Sequence, residues 1–203
     1  MKAKKLVFGV GINDADYIVQ KNETTGYVNG VRKQKLVWIC PYYTTWWNML
    51  QRCYSHKFQE RNPTYVGCSV SEEWLRFSNF KRWMECQDFE GMQLDKDLLF
   101  AGNKVYSAET CVFVTSVVNS FTNDCGASRG EWLIGADWNK QAGKFQSRCR
   151  NPFLNKQEYL GLFDNELEAH KAWLNRKLEL AHLLAAEQKD ERVIEALLTR
   201  FKP

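Results

Sequence analysis

Hydrophobic positions fall at helical spacing in four stretches of the chain and alternate or run short elsewhere. Trp46, Trp47, Met49, Leu50 and Cys53 predict a helix over residues 44–54, with Thr44 as its cap. Ser71-Glu-Glu-Trp74 opens a second helix carrying Leu75, Phe77, Phe80, Trp83 and Met84 on a core-facing stripe. Residues 55–67, with Asn62-Pro63, read as a loop, and residues 68–70 as a short strand. Residues 94–100, a turn at Ala101-Gly102-Asn103, the run Cys111 to Val114 and a segment reaching Asn119 predict strand, turn, strand and helix. After a polar linker over residues 122–130, strands are expected at 132–138, 143–150 and 158–162, then helices at 163–184 and 187–200.

The start differs. Residues 2–34 mix short apolar runs with turn formers such as Asn29-Gly30, which suggests an arm or hairpin. The expected organisation is an N-terminal arm or hairpin (1–39), a core (40–123), a sheet-based domain (131–186) and a C-terminal helix (187–203). The fold class is α+β, ending in a three-stranded antiparallel sheet packed on a helix.

Composition narrows the class. The chain has 203 residues, 14% aromatic and with a net charge of +4, enough apolar volume for one or two cores and a mild bias toward polyanionic partners. Seven cysteines are scattered without a Cys-x-x-Cys pair, and their odd number argues for reduced thiols in a cytoplasm. No run of about 18 apolar residues predicts a membrane span, and the basic start lacks the features of an export signal. Oligomeric state is not legible.

The segment Leu94-Asp95-Lys96-Asp97, Gly102-Asn103, Tyr106-Ser107, Cys111 and Asn119 carries candidate chemistry. A carboxylate at a strand end and an amide on a following helix can converge on a hard divalent cation, which would polarise a phosphate. Solvated acids beside a lysine at a turn are the simpler reading of that spacing alone.

Together with Trp47, Met49-Leu50, Arg52-Cys53-Tyr54, Trp74, Phe77 and Phe80, the segment resembles the phage-encoded HNH-type (ββα-metal) homing endonucleases over about residues 40–123. The resemblance implies a ββα-metal-like nuclease core in which Asp95 and Asn119 hold Mg²⁺ or Mn²⁺. Lys96 stands where better-known members carry the histidine that activates water, and an ordinary lysine is protonated near neutrality. Lys96 would then bind phosphate or stabilise charge, with His56, the one histidine of this half, as a substitute base. A structural Zn²⁺ at Cys53, His56 and Cys68 is not expected without paired cysteine knuckles.

Residues 143–150, Gly-Lys-Phe-Gln-Ser-Arg-Cys-Arg, alternate so that a strand places Lys144, Gln146, Arg148 and Arg150 on one face and Phe145, Ser147 and Cys149 on the other. A solvated strand face and a major-groove reading face both fit that alternation. Gly143-Lys144-Phe145, Arg150-Asn151-Pro152, Tyr159-Leu160-Gly161-Leu162-Phe163 and Glu168-Ala169 resemble the three-stranded DNA-binding domain of plant ethylene-response (Apetala-type) factors, across about residues 134–184. The resemblance implies DNA contacts from Trp138, Lys140, Arg148, Arg150 and Tyr159. Ala142 departs from it, standing where that family has a tryptophan. Leu162, Phe163, Ala169, Ala172, Trp173 and Leu174 are expected to pack the helix beneath the sheet.

The expected function is a DNA-binding, phage-type endonuclease acting on double-stranded DNA. The alternatives are a non-catalytic DNA-binding regulator on the same scaffold and a protein-binding inhibitor or adaptor. Cleavage by wild type but not by an Asp95 variant separates the first two.

Overall fold

The computed structural model describes residues 6–123 and 131–202. Residues 1–5, residue 203 and residues 124–130, which include Cys125 and most of the expected linker, lie outside them. The chain divides into two units, Met1–Phe113 and Val114–Pro203. This division falls inside the segment expected to form one nuclease core.

In the first unit, β1 (Gln20–Val28) and β2 (Val31–Ile39) make an antiparallel hairpin, followed by α1 (Pro41–Tyr54) and the short α2 (His56–Arg61). A 3-10 turn at Pro63–Tyr65, β3 (Ser69–Val70) and a second 3-10 turn at Glu72–Leu75 lead into α3 (Phe77–Met84). Then come β4 (Gln93–Asp95), β5 (Val105–Tyr106) and β6 (Val112–Val114); β3 pairs in parallel with β5, and β4 and β6 form a separate two-stranded sheet.

Three local departures from the sequence pattern have visible causes. α1 starts at Pro41, whose missing N–H is harmless in a first turn, so Thr44 lies inside the helix and its hydroxyl donates to the Cys40 carbonyl. The expected loop at 55–67 folds because Gln59 Nε2 donates to the Cys53 carbonyl at 2.8 Å and to those of Arg52 and Tyr65. The predicted helix from Ser71 breaks at Arg76. There Ile12 N donates to the Leu75 carbonyl and Phe77 N to the Ile12 carbonyl, and Asp14 accepts from Ser78 N, Ser78 Oγ and Arg76. An N-terminal segment thereby takes the backbone bonds of the break and ties down the start of α3.

The core of this unit is aromatic. Trp46, Trp74, Phe77 and Phe80 are fully buried with Met49, Leu50 and Met84. The one polar atom that Trp46 brings inside is satisfied, because its Nε1 donates to the Trp74 carbonyl at 2.7 Å.

The second unit opens with α4 (Ser116–Thr122), capped by Thr115 Oγ1. Strands β7 (Ala136–Asn139), β8 (Lys144–Asn151) and β9 (Lys156–Phe163) form a three-stranded antiparallel sheet in the order β7-β8-β9. α5 (Glu166–Ala186) packs against all three strands, and α6 (Glu191–Arg200) against α5. The helix begins later than its hydrophobic pattern predicts, since Phe163 still pairs with Phe145 and Asn165 provides the cap, accepting from Glu168 N at 2.9 Å. This part of the fold is the mixed α+β unit with a helix-backed sheet that the sequence implies. Among the described residues no helix is long and apolar enough to cross a membrane.

Candidate nucleic-acid interface

β8 carries no extra residue, the one register shift of its ladder with β9 falling on β9, so its faces follow from its partners. Ser147, Cys149 and Asn151 are buried, and Glu158, opposite Cys149, is bound by Arg176 of α5; this is the helix side. Arg148 and Arg150 therefore point to the other side, and both are exposed. Across the β8–β9 ladder Arg148 faces Tyr159, which is 60% exposed, and Arg150 faces exposed Gln157. Arg150 also donates to Asn155 Oδ1 in the turn, which fixes the direction of its guanidinium.

The remaining expected contacts separate. Gln146 shares the outer face but is 8% exposed, because its Nε2 donates to Asp137 Oδ2 and its Oε1 accepts from Asn139 Nδ2. Its amide is held by β7 and not extended outward. Trp138 lies directly opposite Phe145, with ring centroids 5.0 Å apart, and so belongs to the face away from Arg148 and Arg150. Lys140 is exposed in the β7–β8 turn, and Lys144 is exposed but paired with Asp164 at 2.8 Å. Leu162, expected beneath the sheet, lies opposite Gln146 and is exposed. The cause is a bulge: Tyr159 pairs with Arg148 and Gly161 with Ser147, leaving Leu160 as the extra residue.

The helix side is held by charge as well as packing. Arg176 Nε and Nη2 donate to the two Glu158 oxygens at 2.7 and 3.1 Å, and Nη1 donates to Glu179. Hydrogen bonds from Arg176 and Asn151 hold the Glu158 carboxyl below its ordinary value. The sheet is thus fixed to α5 from beneath, which leaves its outer face rigid and open.

The residues of the nuclease-like constellation are distributed over the two units. Asp95 belongs to the first unit and Asn119 to the second. Asp95 Oδ1 accepts from Asp97 N at 2.8 Å and Leu98 N at 2.6 Å, closing a turn that ends β4 sooner than the predicted strand. Lys96 is 5% exposed; its ammonium donates to Asp97 Oδ1 at 2.6 Å and to the Asn103 carbonyl at 2.8 Å, over the Tyr106 ring. In this position it organises the loop from Asp95 to Tyr106, while His56 is exposed at the start of α2.

Asp95 and Asn119, to which the resemblance assigns Mg²⁺, fall in different units, and Asp97, beside Asp95, pairs with Lys96. Among the described residues no three His, Cys, Asp or Glu side chains are grouped as metal ligands. Burial, reinforced by nearby Cys68, pushes the Cys53 thiol up to about 12, which keeps it protonated near neutrality.

No protein-family model, curated protein or solved structure matches this chain. Both resemblances therefore rest on the residues that carry them.

The sequence pattern missed Gln157 on the candidate face and Asn155 in the turn beside it. Gln157 falls just outside the strand that the pattern predicts, although its alternation with Glu158 and Tyr159 was present to be read. Asn155 has a left-handed φ of +52° in the turn, a conformation to which asparagine is well suited. The sequence marks Arg52 only as part of the Arg52-Cys53-Tyr54 motif. Burial lowers its pKa, but Tyr106, Tyr65 and Asp95 together outweigh that and raise it, keeping a cation beside Asp95.

Proposed function

We propose that the chain binds double-stranded DNA through the outer face of the β7–β8–β9 sheet. The observation that carries this reading is the exposed row of Arg148 and Arg150, flanked across the ladder by Tyr159 and Gln157, on the side of the sheet opposite α5. Arginine suits such a face because its planar fork can pair with guanine edges or clasp phosphates. A small sheet also has the width to enter the major groove. Lys140 and Lys144 sit at the β7–β8 end, where phosphate can compete for Lys144 with its exposed partner Asp164. Trp138 and Gln146 act in support: one packs on Phe145, and the other cross-braces β7 to β8.

The resemblance to ethylene-response domains favours the same face. The test is Arg148→Ala with Arg150→Ala in the full chain, measured by duplex anisotropy. Loss of two phosphate contacts lowers the slope of log affinity against log salt by about 2, and loss of base pairing lowers affinity by roughly tenfold or more. Unchanged affinity and slope would refute the assignment.

A second reading adds phosphodiester cleavage, as the resemblance to HNH-type endonucleases implies. It is favoured by Asp95, half-buried at a strand end with the charged Arg52 in electrostatic reach. Supercoiled plasmid with Mg²⁺ or Mn²⁺ tests it, using Asp95→Asn, which keeps an oxygen acceptor for the turn. Nicking by wild type that is lost in the variant supports the enzyme. Binding without nicking under either metal supports a regulator on a nuclease-like scaffold.

A further inference from the structure

The β1–β2 hairpin is nine residues per strand and is exposed along almost its whole length; only Gly26 and Ile39 are half-buried. Its turn, Asn29-Gly30, has φ of +51° and +75°, the left-handed pair that matches the twist of a two-residue hairpin. A two-stranded ribbon with neither face on a core is marginal in water, so its exposed side chains call for a partner.

Two features say which partner. Near the turn Tyr27, Val28 and Val31 are all more than half exposed, with Val28 opposite Val31. Behind that apolar tip the shaft carries Lys21, Arg32, Lys33 and Lys35 against a single acid, Glu23. Lys33 and Lys35 share one face, while Arg32, opposite Tyr27, lies on the other and donates to Thr24 at 2.7 Å. Register shifts leave Val37 of β2 and Thr25 of β1 as extra residues, so each strand of the ribbon is interrupted once, a device that disfavours pairing with a second copy.

We propose that this hairpin is a second DNA-contacting arm, with Arg32, Lys33 and Lys35 meeting backbone phosphates and the tip of Tyr27, Val28 and Val31 entering the minor groove. Cations that follow two strands of phosphate, combined with an apolar end that can wedge at a base step, are the chemistry by which ribbons bend duplex DNA. This inference rests on the DNA-binding reading but uses a separate element, so the two can fail separately.

The test compares four full-length proteins on one fluorophore-labelled duplex: wild type, the Arg148/Arg150 double alanine variant, Lys33→Ser with Lys35→Ser, and Val28→Ser with Val31→Ser. The hairpin positions are exposed, so unfolding midpoints stay at the wild-type value and report intact folding. The lysine variant is expected to lose roughly tenfold in affinity and about 2 in salt slope. The valine variant is expected to keep the slope while the end-to-end energy transfer that reports bending falls to the unbound value. Wild-type affinity, slope and bending in both hairpin variants, with binding lost in the sheet variant, overturn the arm and leave the sheet reading standing. Wild-type binding by the sheet variant with loss in the lysine variant overturns the sheet reading alone. Absence of duplex binding by wild type overturns both. A wild-type dimer abolished by the valine substitutions, with DNA affinity unchanged, overturns the arm in favour of self-association.

Discussion

Gly135 has a φ of +82°, and a methyl group added there would lie 2.0 Å from Cγ of Trp173. Only glycine lets the chain entering β7 approach α5 this closely while adopting a left-handed backbone. Gly135→Ala combines backbone strain with overpacking and is expected to cost at least ~2 kcal/mol, measured as a lower urea midpoint. An unchanged midpoint would show that the β7–α5 approach is looser than described. Such positions are hard to read in a sequence. Gly135 follows three apolar residues and looks like a strand interruption, and only the Trp173 ring explains it. Lys96 is similar: a lysine between two aspartates reads as solvated, yet Asp97, Asn103 and Tyr106 enclose it.

Between elements, the pair that joins β9 to α5 has a pH signature. The Glu158 carboxyl is held below its usual 4.5 by Arg176 and Asn151, so its contribution to stability is fully present above that value. It is lost as pH falls through the lower folded-state value. Glu158→Gln is therefore expected to be less stable than wild type at neutral pH and to converge with it in acid, followed by thermal midpoints across pH 2–7. A gap that stays constant with pH would show that the Arg176 bond does not set the difference.

The legibility of elements tracks how local their causes are. β8 could be read because alternation alone assigns its faces, and the buried Ser147 and Cys149 match that assignment. The break at Arg76 could not, because it depends on Ile12 and Asp14, more than sixty positions away in the sequence. Leu162 was misplaced by the Leu160 bulge, which reverses the apparent phase of β9. The candidate DNA face was thus half legible: Arg148, Arg150 and Tyr159 stand together, whereas Gln146 and Trp138 are turned to structural use.

Across the whole molecule, a net charge of +4 supplies only a weak general pull on a polyanion, so the proposed DNA binding rests on where the cations are placed. The second unit places two arginines on one open sheet face, and the first places its densest cations on an exposed hairpin. Asp95 and Asn119, which the nuclease resemblance pairs on one cation, belong to the first and the second unit respectively, so the plasmid-nicking assay with Asp95→Asn is what decides that reading. That DNA meets the outer face of the sheet is tested by photo-crosslinking from a benzophenone side chain at two positions of the full chain. One replaces Tyr159 on the outer face of the sheet, the other Leu183 on the exposed side of α5. DNA crosslinks from position 159 and none from position 183 are the expected result; equal crosslinking, or crosslinks from 183 alone, would contradict it.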